Sequence, residues 1–139
     1  MILLDTDHLS VLQIPASDRR TRLVARLAMA GEEVIGTTIV SVEEQTRGWL
    51  AAIAKERQSR RQVRAYRGLS DSLAFFRPLH IALFDEEAAD LFESFASLRV
   101  GTMDRKIAAI AIVNDALLLT ANRRDYEKIP GLRFDNWMD

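Results

Sequence analysis

The chain has 139 residues, a formal net charge of −1, 48% hydrophobic and 28% charged residues, and no cysteine. That composition describes a single globular domain spanning 1–139 with room for a real core, and it excludes disulfides, thiolate metal centres and cysteine nucleophiles. No stretch approaches a membrane span and no secretory leader is visible, so a cytoplasmic protein is expected, one that binds nucleic acid only through a local basic patch.

Residues 1–5 (Met-Ile-Leu-Leu-Asp) read as a strand, because a short apolar run cut off by an acid is the pattern of a strand buried on both faces. His8–Leu12 suggests a short helical turn, interrupted by Pro15. Leu23, Val24, Leu27 and Ala28 define one face of a helix over Arg19–Ala30, with Gly31 as its stop. Glu33–Val40 is β-branched and predicts the second strand. Ser41-Val42-Glu43-Glu44 then opens a helix whose apolar face carries Val42, Trp49, Leu50 and Ile53. Ser59–Phe76 predicts a second long helix, with Arg57, Arg60, Arg61, Arg64 and Arg67 at near-helical spacing. Leu79–Leu83 is the third strand, and Asp85-Glu86-Glu87 starts a helix bearing Ala88, Leu91, Phe92 and Phe95. Gly101-Thr102-Met103-Asp104 opens a helix that is apolar nearly all round (Ile107, Ala108, Ile110, Ala111, Ile112) and is therefore buried. Ala116–Thr120 is the fourth strand, Asn122–Lys128 a loop or short helix, and Leu132–Trp137 the last strand. Strands alternating with helices imply βαβ units and a parallel sheet.

This topology has a chemical consequence. Crossover helices run antiparallel to the strands, so helix N-termini and strand C-termini share one edge, where α/β proteins bind ligands. Asp5 follows the first strand, Glu43 and Glu44 fall in the first turn after the second, Asp104 opens the apolar helix, and Asn122 and Asp125 follow the fourth strand. Acids far apart in sequence thus meet at one edge, with too few nearby Lys or Arg to neutralise each. Clustered carboxylates without thiolates suit a hard cation such as Mg²⁺ or Mn²⁺, and crowding should raise at least one carboxyl pKa. Each acid also has a structural reading. Ser41 and Glu44 have capping-box spacing, Thr102 is a candidate N-cap beside a dipole-favoured Asp104, and Asn122 is a candidate cap over Asp125. Asp5 caps nothing obvious. His8 and His80, without a ligand at metal spacing, read as structural or surface residues.

The carrying stretches Ile2-Leu3-Leu4-Asp5-Thr6-Asp7, Thr38 to Gly48, Asp104 to Ala109, Leu119 to Tyr126 and Ile129-Pro130-Gly131-Leu132 with Asn136-Trp137 together resemble the PIN-domain ribonucleases, most closely the VapC toxins of bacterial toxin–antitoxin pairs. The resemblance implies a PIN-like α/β/α fold and a Mg²⁺- or Mn²⁺-dependent endoribonuclease. Carried over, the metal-binding acids are Asp5, Glu44 and Asp104. Glu44 is preferred to Glu43 because the family glutamate lies four residues before a glycine, here Gly48. Asn122 stands where many relatives have an aspartate, with Asp125 as the alternative for completing the site. Asp7 replaces a common asparagine, and Thr6, Asp7 and Thr120 are expected as supporting groups. Arg60, Arg61 and Arg64 are the candidate RNA contacts. The implied partners are an RNA substrate, a VapB-type antitoxin and a second copy of the chain. Two other readings stand beside this one: a PIN-like scaffold that binds without cutting, and a haloacid-dehalogenase-type phosphatase suggested by Asp5-Thr6-Asp7.

Overall fold

The computed structural model describes residues 1–139. Strands β1 (Ile2–Leu4), β2 (Ile35–Thr38), β3 (His80–Ala82), β4 (Leu117–Leu119) and β5 (Arg133–Asp135) form one sheet in the order β3-β2-β1-β4-β5, every pairing parallel. The helices are α1 (Thr6–Gln13), α2 (Asp18–Ala28), α3 (Ile39–Lys55), α4 (Ser59–Phe76), α5 (Glu86–Ser94), α6 (Thr102–Val113) and α7 (Arg123–Tyr126). β1 is central because all three of its residues are apolar and successive side chains point to opposite faces. Leu3 joins a core with Val40, Ala88, Tyr126 and the α6 residues Ile107, Ala108, Ile110 and Ala111. Ile2 and Leu4 join the other, with Leu9, Val11, Leu23, Phe76 and Met138. Two cores on either side of one sheet make the α/β/α sandwich. Full burial of each large β1 side chain stabilises it by about 1.5–3 kcal/mol.

From β1 the chain steps to β2 and β3 on one side, then crosses to β4 and β5 on the other. The direction of winding reverses between β1 and β4, and the crevice at such a switch point is where a doubly wound sheet binds its ligands. Asp5 and Thr120 follow these two strands directly.

Several expected elements shift. The second strand stops at Thr38, not Val40: the Thr38 hydroxyl accepts the Ser41 N–H at 3.1 Å and starts α3 at Ile39. That local cap, with Val40 buried in the first turn, overrides the β preference of Ile39 and Val40. Glu43 and Glu44 therefore lie in the second helical turn, so neither the Ser41–Glu44 capping box nor the helix dipole accounts for Glu44. Gly101, not Thr102, holds the N-cap position of α6, and the Thr102 hydroxyl accepts from Arg105 instead. The turn at His8 is part of the longer helix α1. In α2 only Leu23 and Leu27 turn inward, while Val24 and Ala28 face solvent. Gly31 adopts a φ of +68°, the left-handed conformation that lets the chain leave α2.

Helices α3 and α4 form an antiparallel pair. Gln62 Nε2 donates to the carbonyls of Ile53 and Glu56, and the Trp49 ring packs on Gly68. A Cβ at Gly68 would stand 2.2 Å from that ring, so the close approach requires glycine. Trp49 is half-buried, but Leu50 is exposed, as are Val63, Tyr66 and Leu73 on α4. The five arginines of the stripe all face solvent and none pairs with a carboxylate. No helix is long and apolar enough to cross a membrane.

Candidate functional site

Asp5 ends β1 and is 6% exposed. Contrary to expectation it does cap a helix: Oδ1 accepts the Thr6 N–H at 2.8 Å at the start of α1. Its other oxygen accepts the Thr120 hydroxyl, also at 2.8 Å, which bridges the switch point between β1 and β4. Asp7, in the first turn of α1, reaches the same loop. Its Oδ2 accepts from Ala121 N–H at 2.8 Å and lies 3.3 Å from Thr120 Oγ1, and its Oδ1 lies 2.6 Å from His8 Nδ1.

Asp104 projects from the first turn of α6. Its Oδ1 accepts from the Tyr126 hydroxyl at 3.2 Å, and its Oδ2 accepts from Asn122 Nδ2 at 3.4 Å. The same Asn122 amide donates to Asp125 Oδ2 at 3.2 Å, while Asn122 Oδ1 caps α7 through the Asp125 N–H. Asn122 thus clamps two carboxylates together. Asp125 also has Lys128 within 3.7 Å. Glu44 approaches from α3 and makes no hydrogen bond, and the buried Thr6 hydroxyl has no partner within hydrogen-bond reach.

No Lys or Arg pairs with Asp5, Asp7, Glu44 or Asp104. Burial, then the charges of Asp7 and Asp104, pushes the Asp5 carboxyl up to about 6. Burial, then Asp5 and Asp104, raises Glu44. Burial also raises Asp104, with Asp125 and Asp7 repelling and the Tyr126 hydrogen bond opposing. Mutual repulsion is therefore present, but loss of water is the larger cause in all three. Asp7 departs from this pattern. Burial disfavours its charge, but hydrogen bonds from His8 and Ala121 outweigh that and hold it below the ordinary value. Burial, then Asp5 and Asp104, keeps the Tyr126 hydroxyl far above its ordinary pKa, so it remains a donor at any physiological pH.

The donor set fits a hard divalent cation in its chemistry: anionic oxygens without counter-charge, and one orphaned hydroxyl. In this arrangement no three His, Asp or Glu side chains stand close enough to hold one ion together. Arg60, Arg61 and Arg64 do not join the acids. The α3–α4 pairing puts Arg64 level with Ala51 to Ile53, about 10–14 Å further along the helix axis than Glu44 at 1.5 Å of rise per residue. Sequence reasoning left Tyr126 and His8 out of the site. The available signals were Tyr126 one turn after Asn122 and His8 directly after Asp7.

A doubly wound parallel sheet with uncompensated carboxylates at its switch point is the α/β architecture that binds ligands at that edge. The chain belongs to the PIN domain family, which matches residues 2–132. Among solved structures it is similar to DNA-bound VapBC from Salmonella typhimurium (23% identity, 99% of each chain, TM-score 0.73). It is similar also to VapBC2 from Rickettsia felis bound to a DNA fragment from its promoter (22%, 99% of each, 0.72) and to VapBC-1 from nontypeable Haemophilus influenzae (18%, 100% of each, 0.72). At these identities the likeness is one of fold. No curated protein sequence matches the chain.

Proposed function

We propose that the protein is a metal-dependent endoribonuclease acting as the toxin of a toxin–antitoxin pair. What supports this reading is that Asp5, Glu44 and Asp104, carried on three separate elements, are each raised in pKa by burial and neighbouring carboxylates while none pairs with a Lys or Arg; a bound cation would have to draw them closer than they stand here. Mg²⁺ or Mn²⁺ held by these three would supply a water activated for attack on phosphorus and positive charge against the leaving oxygen. The chain's own groups prepare the site. Thr6 N–H and the Thr120 hydroxyl hold the two Asp5 oxygens, and Tyr126 and Asn122 hold those of Asp104. Asn122 or Asp125, which are hydrogen-bonded to each other, would complete the site. Arg60, Arg61 and Arg64, free of ion pairs, contact the RNA phosphates away from the acids.

The antitoxin partner is supported by the VapBC complexes among the structural neighbours. A groove of about 420 Å³ lined by Leu12, Trp49, Asp71 and Phe75 beside the α3–α4 pair suits a partner segment that orders on binding. Exposed Leu50, Val63, Tyr66 and Leu73 suit a homodimer contact. A cytoplasmic site of action follows from an RNA target. The competing scaffold reading rests on Asn122 in place of a fourth acid. Purified protein with Mn²⁺ or Mg²⁺ should cut single-stranded RNA, stop cutting in EDTA, and arrest growth when expressed alone, whereas Asp5→Asn should neither cut RNA nor arrest growth. Binding of RNA without any cleavage in either metal would establish the scaffold instead.

A further inference from the structure

His8 touches neither Asp5, Glu44 nor Asp104, yet it stands at the centre of a continuous line of contacts that ends on Asp5. Its side chain is fully buried, with Nδ1 facing Asp7 Oδ1 at 2.6 Å and Nε2 receiving the backbone N–H of Trp137 at 3.2 Å. A backbone N–H only donates, so Nε2 is the bare nitrogen and the ring proton sits on Nδ1, aimed at Asp7. Asp7's second oxygen accepts Ala121 N–H at 2.8 Å and lies 3.3 Å from Thr120 Oγ1, whose one proton goes to Asp5 at 2.8 Å. On the far side of the imidazole, α2 grips the segment that carries Trp137. Arg22 Nε donates to the Met138 carbonyl at 2.6 Å, Arg26 lies 4.8 Å over the Trp137 ring, and Arg19 pairs with Asp139.

We propose that His8 is a positioning residue: held as one tautomer between the Trp137 amide and Asp7, it fixes the Asp7 carboxylate and, through it, the loop after β4 against Asp5. Without the Nδ1–H, Asp7 is free to turn and Ala121 N–H loses its acceptor. Metal-ligand orientation is sensitive to such supporting hydrogen bonds, whose loss typically costs about 10–100-fold in affinity or activity. The metal-affinity and cleavage readouts of the test rest on the nuclease reading; the amide-exchange readout does not.

Two amide substitutions separate the two ends of the imidazole. In His8→Asn the shorter side chain places an amide N–H near the Nδ1 position, facing Asp7, and leaves the Nε2 position empty. In His8→Gln the longer side chain reaches the Nε2 position with an acceptor for the Trp137 amide and leaves Asp7 without its donor. The experiment uses the full-length chain and reads amide hydrogen exchange at Ala121 and Trp137, Mn²⁺ affinity by calorimetry, and cleavage of single-stranded RNA. His8→Asn should free the Trp137 amide, speeding its exchange about tenfold or more, while Ala121 stays protected. His8→Gln should keep Trp137 protected, free Ala121, and lower Mn²⁺ affinity and kcat by about tenfold with KM for RNA unchanged. An Ala121 amide as protected in His8→Gln as in wild type overturns the proposal. Should His8→Gln not fold, His8→Asn still decides: Trp137 freed alone supports the role, and both amides freed together overturn it. If the wild-type chain cuts no RNA, the nuclease reading fails while the Ala121 comparison still stands.

Discussion

Replacing Asp5 with Asn tests whether the site is charged at the expense of the fold. In the folded chain the Asp5 carboxyl is pushed up to about 6, against an ordinary 3.8, chiefly by burial. At 1.36 kcal/mol per pH unit, the ionised group destabilises the metal-free fold by about 3 kcal/mol near neutral pH. The direction follows from the raised value. The folded state holds the proton more tightly than the unfolded state, so this group's contribution is fully present below about pH 4 and is lost as the pH rises through about 6. Asn keeps the acceptor for Thr6 N–H but cannot accept from the Thr120 hydroxyl, which removes about 1 kcal/mol. The net gain of about 2 kcal/mol corresponds to roughly 6–10 °C in Tm for a chain of this size. Thermal melts by circular dichroism in EDTA should show Asp5→Asn melting higher than wild type at pH 8 and losing that advantage at pH 4. Mg²⁺ should then raise the wild-type Tm and leave the variant unmoved. A variant that melts lower than wild type at pH 8 in chelator refutes the reasoning.

Tyr126→Phe removes the donor to Asp104 while keeping the buried ring, and should cost about 1.5–3 kcal/mol in urea unfolding at pH 7 because the bond is to a charged group; a midpoint unchanged from wild type would show that water replaces the hydroxyl. Gly68→Ala drives a methyl into the Trp49 ring and should destabilise the chain by about 1–3 kcal/mol with a shift in tryptophan fluorescence, so an unshifted spectrum would mean that the helices part without strain. Changing Arg60, Arg61 and Arg64 together to Gln should weaken binding of single-stranded RNA and flatten its salt dependence by about 0.7 per lost phosphate contact, with no change in Tm; an equal slope would return these arginines to solvation alone.

Much of this molecule was legible in the residues, and the exceptions have physical causes. The limits of α4 match the expected Ser59–Phe76 because an uninterrupted amphipathic helix declares itself over many turns. Asp5, Asp104 and Asn122 were placed at one edge by topology alone, since a parallel sheet brings all its strand ends together. The second strand was read too long because Ile39 and Val40 favour strands in isolation, and only the Thr38 hydroxyl turns them into a helix. That two-residue difference moves Glu44 out of the first turn. Tyr126 was not singled out in the sequence; its hydroxyl reaches Asp104 only once α7 packs beside α6. The bond between His8 and Trp137 joins residues 129 positions apart, beyond the reach of any local pattern.

The glycine contact between α3 and α4 has one more consequence. Trp49 seated on Gly68 sets the register of the two helices, and with it the distance along the pair at which the arginines stand. Such a pair is a ruler. On the proposed function, phosphates held at the level of Arg64 would lie about 10–14 Å along the axis from the level of Glu44, the span of about three to four stacked nucleotides at roughly 3.4 Å each. An RNA gripped by these arginines would be cut at a set offset from the grip, and the shortest RNA able to use both would be a few nucleotides long, whatever its sequence.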